Sequence, residues 1–180
     1  MSGKLYSTKE KSKNELFSKK LKGEVIRVAR GVYATSEYYD LLEVYSLRYS
    51  YAIFTLNTMF SIYGMTDRFI DKYHLVTKQG SRTIYDKRVV QYRQNSDLFN
   101  IGKIELNYNG INIAAYDKER LLIELFRFSN KIPRRLYKEV INYYRSHLKK
   151  EFRVHIYQEY CEKFNRDKDM LRESFRREVQ

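Results

Sequence analysis

Six cations near the start of the chain stand where they could grip a nucleic-acid backbone. Lys13, Lys19, Lys20 and Lys22 share one short segment, and Arg27 and Arg30 follow on an alternating stretch. Cations held on a helix and a hairpin neutralise successive phosphates, and a helix of that size fits a groove. The same residues also describe a small capped helix with a solvated lysine face, and residue types alone do not separate the two.

Catalytic constellations are thin. His74, His147 and His155 lie apart, no Cys or His sits at metal-ligand spacing, and Cys161 reads as a half-buried helix cysteine rather than a nucleophile. Asp67 and Asp71 could share a divalent ion if helical, but Arg68 and Lys72 explain them more simply as ion-pair partners. Asp117, Glu119 and Glu124 with Lys118 come nearest to a nuclease's carboxylate and lysine cluster, although carboxylates at a helix start also complement its dipole. The glycines are scattered singly, so no phosphate-cradling loop is expected. The expectation is a non-enzyme with no metal and no cofactor.

Local signals say what positions these groups. Ser12 and Glu15 have capping-box spacing, which predicts a helix with Leu16, Phe17 and Leu21 inward that stops at Gly23. Val25 to Ala29 alternates, Arg30-Gly31 turns, and Val32 to Ala34 returns as a second strand. Thr35 or Ser36 should cap a helix over Tyr38 to Tyr45, and Tyr49 to Phe54 reads as a strand. Thr55 then caps a helix ending at Gly64, and Tyr73–Thr77, Arg82–Tyr85 and Val89–Arg93 read as strands. Asn109-Gly110 suits the tight turn of a hairpin joining Lys103–Tyr108 to Ile111–Ala115. Asp117 caps a helix with Leu121, Leu122, Leu125 and Phe126 on one side, and two more helices follow over 134–150 and 154–177.

Charge is unevenly spread along the chain. The total is +13 over 180 residues, with +6 in residues 1–30, balance in 31–126 and +7 in 127–180. Two basic ends attract polyanions with a strong salt dependence. The eighteen tyrosines should build much of the core with their hydroxyls turned to backbone or water. One cysteine excludes an intramolecular disulfide and fits a reducing cytoplasm, and no apolar run is long enough to span a membrane.

Three blocks resemble one family. They are Val28-Ala29-Arg30-Gly31-Val32-Tyr33-Ala34, the stretch Ala52 to Met65 (AIFTLNTMFSIYGM), and Asn109-Gly110-Ile111 through Asp117-Lys118-Glu119-Arg120 to Leu125. In this order and spacing they resemble the AbiEi antitoxins and transcriptional regulators of bacterial abortive-infection, type IV toxin–antitoxin systems. The resemblance implies an N-terminal winged helix-turn-helix that represses its own operon. It also implies a C-terminal antitoxin body that antagonises a nucleotidyltransferase-like toxin without a stable complex. Only 22 residues precede Gly23, so the expected head is short and incomplete.

The expected fold class is α+β: a winged-helix-like head over residues 1–35, then a body of helices and antiparallel sheet with C-terminal helices over 36–180. Operator DNA would meet Lys13, Lys19, Lys20, Lys22, Arg27 and Arg30. The antitoxin face would be the basic C-terminal set Arg134, Arg135, Lys149, Lys150, Arg172 and Arg176. The alternative is an RNA-binding or RNA-processing protein in which Tyr38, Tyr39, Tyr45, Tyr49 and Tyr51 stack unpaired bases among cations.

Overall fold

In the computed structural model, which describes residues 3–179 except the side chains of Leu148 and Lys149, Ser12 opens the first helix as its spacing predicts. Its hydroxyl accepts the Glu15 amide at 3.1 Å, and α1 runs Lys13–Leu21. The Glu15 carboxylate instead takes Lys11 at 3.0 Å, so the reciprocal cap is half formed. Only Leu16 turns inward; Phe17 and Leu21 are 55% and 73% exposed. Each residue advances the helix by about 100°, and the sheet beside α1 covers only the Leu16 stripe.

That sheet joins β1 (Leu5–Ser7), β2 (Ile26–Ala29) and β3 (Val32–Ala34) in the antiparallel order β1-β3-β2. Strand alternation sends Leu5, Val32 and Ala34 to one face, where they pack with Val44 of α2 (Leu41–Arg48). Tyr33 goes to the other face, against Leu16 and Val25, with Tyr6 beside it. A bulge between Arg27 and Ala29 lets the adjacent Val28 and Ala29 both pack against the α2 cluster. The short β1 escaped the sequence reading because three residues carry almost no period.

Two expectations change here. The second helix is capped by Asp40, whose carboxylate accepts the Leu42 amide at 2.7 Å, not by Thr35 or Ser36. Because α2 packs on the sheet, the first compact unit is Met1–Ala52 with Leu106–Ala114, not residues 1–35. A single helix separates β1 from β2 among the described residues, so the paired helices of a helix-turn-helix are not formed there.

The second unit, Ile53–Glu105 with Ala115–Gln180, holds the larger core. Its elements begin with β4 (Ile53–Phe54), α3 (Leu56–Ile62), β5 (Tyr73–Lys78), β6 (Val89–Gln94) and α4 (Ser96–Phe99). The hairpin β7 (Lys103–Tyr108) and β8 (Ile111–Tyr116), whose residues 106–114 belong to the first unit, turns on Asn109 (φ 51°) and Gly110 (φ 83°), the positive pair that its sequence predicts. The sheet order is β6-β5-β4-β8-β7. It is mixed rather than antiparallel, since β5 runs parallel to β6 and β4 parallel to β8. The expected strand over 82–85 is irregular chain, spent on the connection between the two parallel strands.

Asp117 caps α5 (Lys118–Arg127) by accepting the Arg120 amide at 2.8 Å. Every residue from Glu119 to Phe126 is buried, so α5 is enclosed on all sides rather than along one stripe. After α6 (Arg134–Glu151), the long last helix expected from the sequence divides into α7 (Val154–Lys163) and α8 (Lys168–Glu178). Folding back lets the Tyr157 hydroxyl donate to the Leu171 carbonyl at 2.9 Å and stacks Tyr157 on Phe175 at 4.8 Å. A straight helix would keep those rings apart. Across the described residues the fold is α+β, with eight α-helices and two sheets.

Candidate nucleic-acid interface and charged core

In the first unit, Lys13, Lys20, Lys22, Arg27 and Arg30 are exposed on α1, its exit and the β2–β3 hairpin. Lys19 differs from them. It is half-buried, 3.9 Å from Glu15 and 5.7 Å from the centre of the Tyr6 ring. Lys4 and Lys11 lie over the same ring at 5.5 and 4.8 Å, so Tyr6 gathers three cations at the sheet edge. Phe17 and Leu21, one turn apart on α1, add an apolar pair to this cationic surface.

The five tyrosines proposed to stack bases do not share one surface. Tyr45 and Tyr49 are buried and stacked on each other at 5.8 Å, while Tyr39 packs against the α2 cluster. Only Tyr38 and Tyr51 are exposed.

The basic C-terminal set is likewise dispersed. Arg134 and Arg135 begin α6 and Lys150 lies near its end, sixteen residues on, or about 24 Å at about 1.5 Å per residue. Arg135 pairs with Glu139 at 3.2 Å. Arg172 pairs with Glu162, and with Arg176 and His155 it lines a separate cavity of about 630 Å³. The Lys149 side chain lies outside the described residues. These positions therefore make at least two sites, not one face.

The acidic cluster considered for metal chemistry is instead occupied by arginines. Arg153 reaches Glu119 at 2.6 Å and Asp117 at 3.1 Å, and Tyr160 donates to Asp117 at 3.0 Å. Burial pushes Glu119 up, but the hydrogen bonds from Arg153 outweigh it and hold the carboxyl below the ordinary value. Among the described residues no group of three or more His, Cys, Asp or Glu side chains could hold a metal ion. Burial raises the Cys161 thiol to about 11, away from the range of a reactive thiolate.

Sequence reasoning gave Arg120 no role of its own. It is fully buried, donates to Glu124 at 2.9 Å and to the carbonyls of Leu98 and Ile101 at 2.8 and 3.2 Å. Its guanidinium lies between the rings of Tyr116 and Phe164, at 4.5 and 4.6 Å. Arg127 continues the network through Glu124, Gln94 and Asp167. The spacing of Arg120 and Glu124 was the available signal, yet i, i+4 pairs are ordinarily solvent-exposed.

No protein-family model matches the chain, and no curated protein matches it. No helix among the described residues is long and apolar enough to cross a membrane.

Proposed function

We propose that this chain is a cytoplasmic antitoxin of the AbiEi type that also binds DNA to regulate its own expression. The first unit contacts DNA and the second carries the antagonism of a nucleotidyltransferase-like toxin. The observation that carries the reading is the set of five open cations, Lys13, Lys20, Lys22, Arg27 and Arg30, on one helix and the adjoining hairpin. None of the five has a carboxylate within salt-bridge distance among the described residues. Their charge is free to replace counterions on phosphates.

Binding should be strongly salt-dependent. Each neutralised phosphate contributes about −0.9 to the slope of log K against log salt, so five contacts set a limit of about −4.5. The test is fluorescence anisotropy of the full chain on a duplex from upstream of its own gene, against an unrelated duplex, at graded salt. Preference for the upstream duplex, lost in a Lys13→Glu, Lys20→Glu, Arg30→Glu variant, supports the DNA role. Equal binding by native and variant chains overturns it. Co-expression with the neighbouring toxin candidate tests the antagonism separately, and failure to rescue growth removes that half.

A further inference from the structure

Three successive residues in the second unit break local rules together. Thr55 stands at the N-cap of α3 but makes no cap hydrogen bond, and its hydroxyl is buried without a partner. Leu56 has φ 41°, a left-handed backbone that a branched side chain rarely adopts. Asn57 buries its side-chain carbonyl oxygen without a partner. Strain and an unmet acceptor at adjacent positions are characteristic of a backbone held for a ligand.

Asn57 opens onto a cavity of about 580 Å³, within the size range of small-molecule sites. His74 of β5 and Tyr92 of β6 line it with Phe128. The His74 ring meets the Tyr92 hydroxyl through Nδ1 at 3.2 Å, and no described group meets Nε2. Tyr92 and Phe128 pack at 4.8 Å as an aromatic wall. The rim carries Lys72, Arg93, which donates to the Thr83 hydroxyl at 2.8 Å, and Lys131, which lies 5.4 Å from the centre of the Phe128 ring, against a single acid, Asp71.

We propose that this cavity binds a nucleoside monophosphate carrying an amino-bearing base. The base lies against the Phe128 and Tyr92 wall. With the Tyr92 hydroxyl donating to Nδ1, Nε2 of His74 carries the ring hydrogen and donates to a base ring nitrogen. The Asn57 carbonyl oxygen accepts from the exocyclic amine beside that nitrogen. This acceptor and donor pair matches adenine and cytosine and opposes uracil, whose carbonyl would face the Asn57 oxygen. The phosphate meets Lys72, Arg93 and Lys131 at the rim, where charge-assisted bonds are strongest. The site lies wholly in the second unit and does not depend on the DNA or antitoxin reading.

Isothermal titration of the full chain with AMP, CMP, UMP and ribose 5-phosphate tests the site. AMP or CMP should bind at least tenfold more tightly than UMP and ribose 5-phosphate. Asn57→Ala should weaken that binding at least tenfold, and Lys131→Ala, at an exposed position on the rim, about threefold or more. Absence of AMP and CMP binding overturns the proposal. Equal affinity for AMP and ribose 5-phosphate reduces the cavity to an anion site and also overturns it, as does equal affinity for AMP, CMP and UMP. Unchanged AMP binding by the Lys131→Ala chain places the nucleotide elsewhere and refutes it even if Asn57→Ala fails to fold.

Discussion

Replacing Arg120 by methionine keeps most of the side-chain volume and removes the charge from the centre of the second unit. The guanidinium makes a 2.9 Å bond to Glu124 and bonds of 2.8 and 3.2 Å to the Leu98 and Ile101 carbonyls. After substitution, Glu124 remains 1% exposed, with Arg127 at 3.2 Å as its remaining ion-pair partner. Removing one partner of a buried pair costs about 3–5 kcal/mol. Two features lower that figure: Arg127 stays, and the unpartnered Nη2 of Arg120 no longer has to be desolvated. The expected loss is therefore about 3 kcal/mol. Adding Glu124→Gln removes the buried carboxylate that has lost its closer partner, so the double variant should recover at least about 1 kcal/mol. Urea unfolding followed by far-UV circular dichroism and tyrosine fluorescence measures both, since the chain has no tryptophan. A single variant within about 1 kcal/mol of the native chain, or a double variant less stable than the single, would refute the network's role.

Gly102→Ala should destabilise by about 2 kcal/mol or more, because φ is 72° and a Cβ would come 2.4 Å from that of Arg120; thermal unfolding measures it. His74 is held near 4 by burial against an ordinary value of 6.5. The unfolded chain therefore binds the extra proton first, and stability falls as pH drops from 6.5 toward 4. The loss amounts to about 3 kcal/mol at about 1.4 kcal/mol per pH unit, and His74→Gln should flatten that part of the stability profile. Lys20→Ala should reduce the magnitude of the DNA salt slope by about 0.9. Lys19→Ala should change it less, because Lys19 already faces Glu15 and Tyr6. Equal slopes for the two variants would contradict that distinction.

Local chemistry was the legible part. Ser12, Asp117 and Asn109-Gly110 each act within a few residues, and each does what its spacing implies. What the chain alone hid depends on distant partners. Glu119, Arg120 and Glu124 carry the polarity of a solvent face, yet Arg153, Arg127 and the carbonyls of Leu98 and Ile101 make their burial tolerable. Phe17 and Leu21 have core-like periodicity but find no second layer. The last helix reads as continuous because its apolar stripe persists through Phe164, while Asn165 and Asp167 mark the break only weakly. At the candidate interface the cations were legible by type, but the position of Lys19 beside Glu15 and Tyr6 and the dispersal of the C-terminal arginines are facts of three-dimensional placement.

The first unit is built from two stretches of chain. Residues 106–114 belong with residues 1–52, and Ser46 donates to the Asn112 carbonyl at 3.0 Å. During translation the leading segment therefore lacks its contact with Asn112 until the mid-chain hairpin leaves the ribosome. A cut after Ala52, in the protein or in its gene, would part the two stretches that make up this unit.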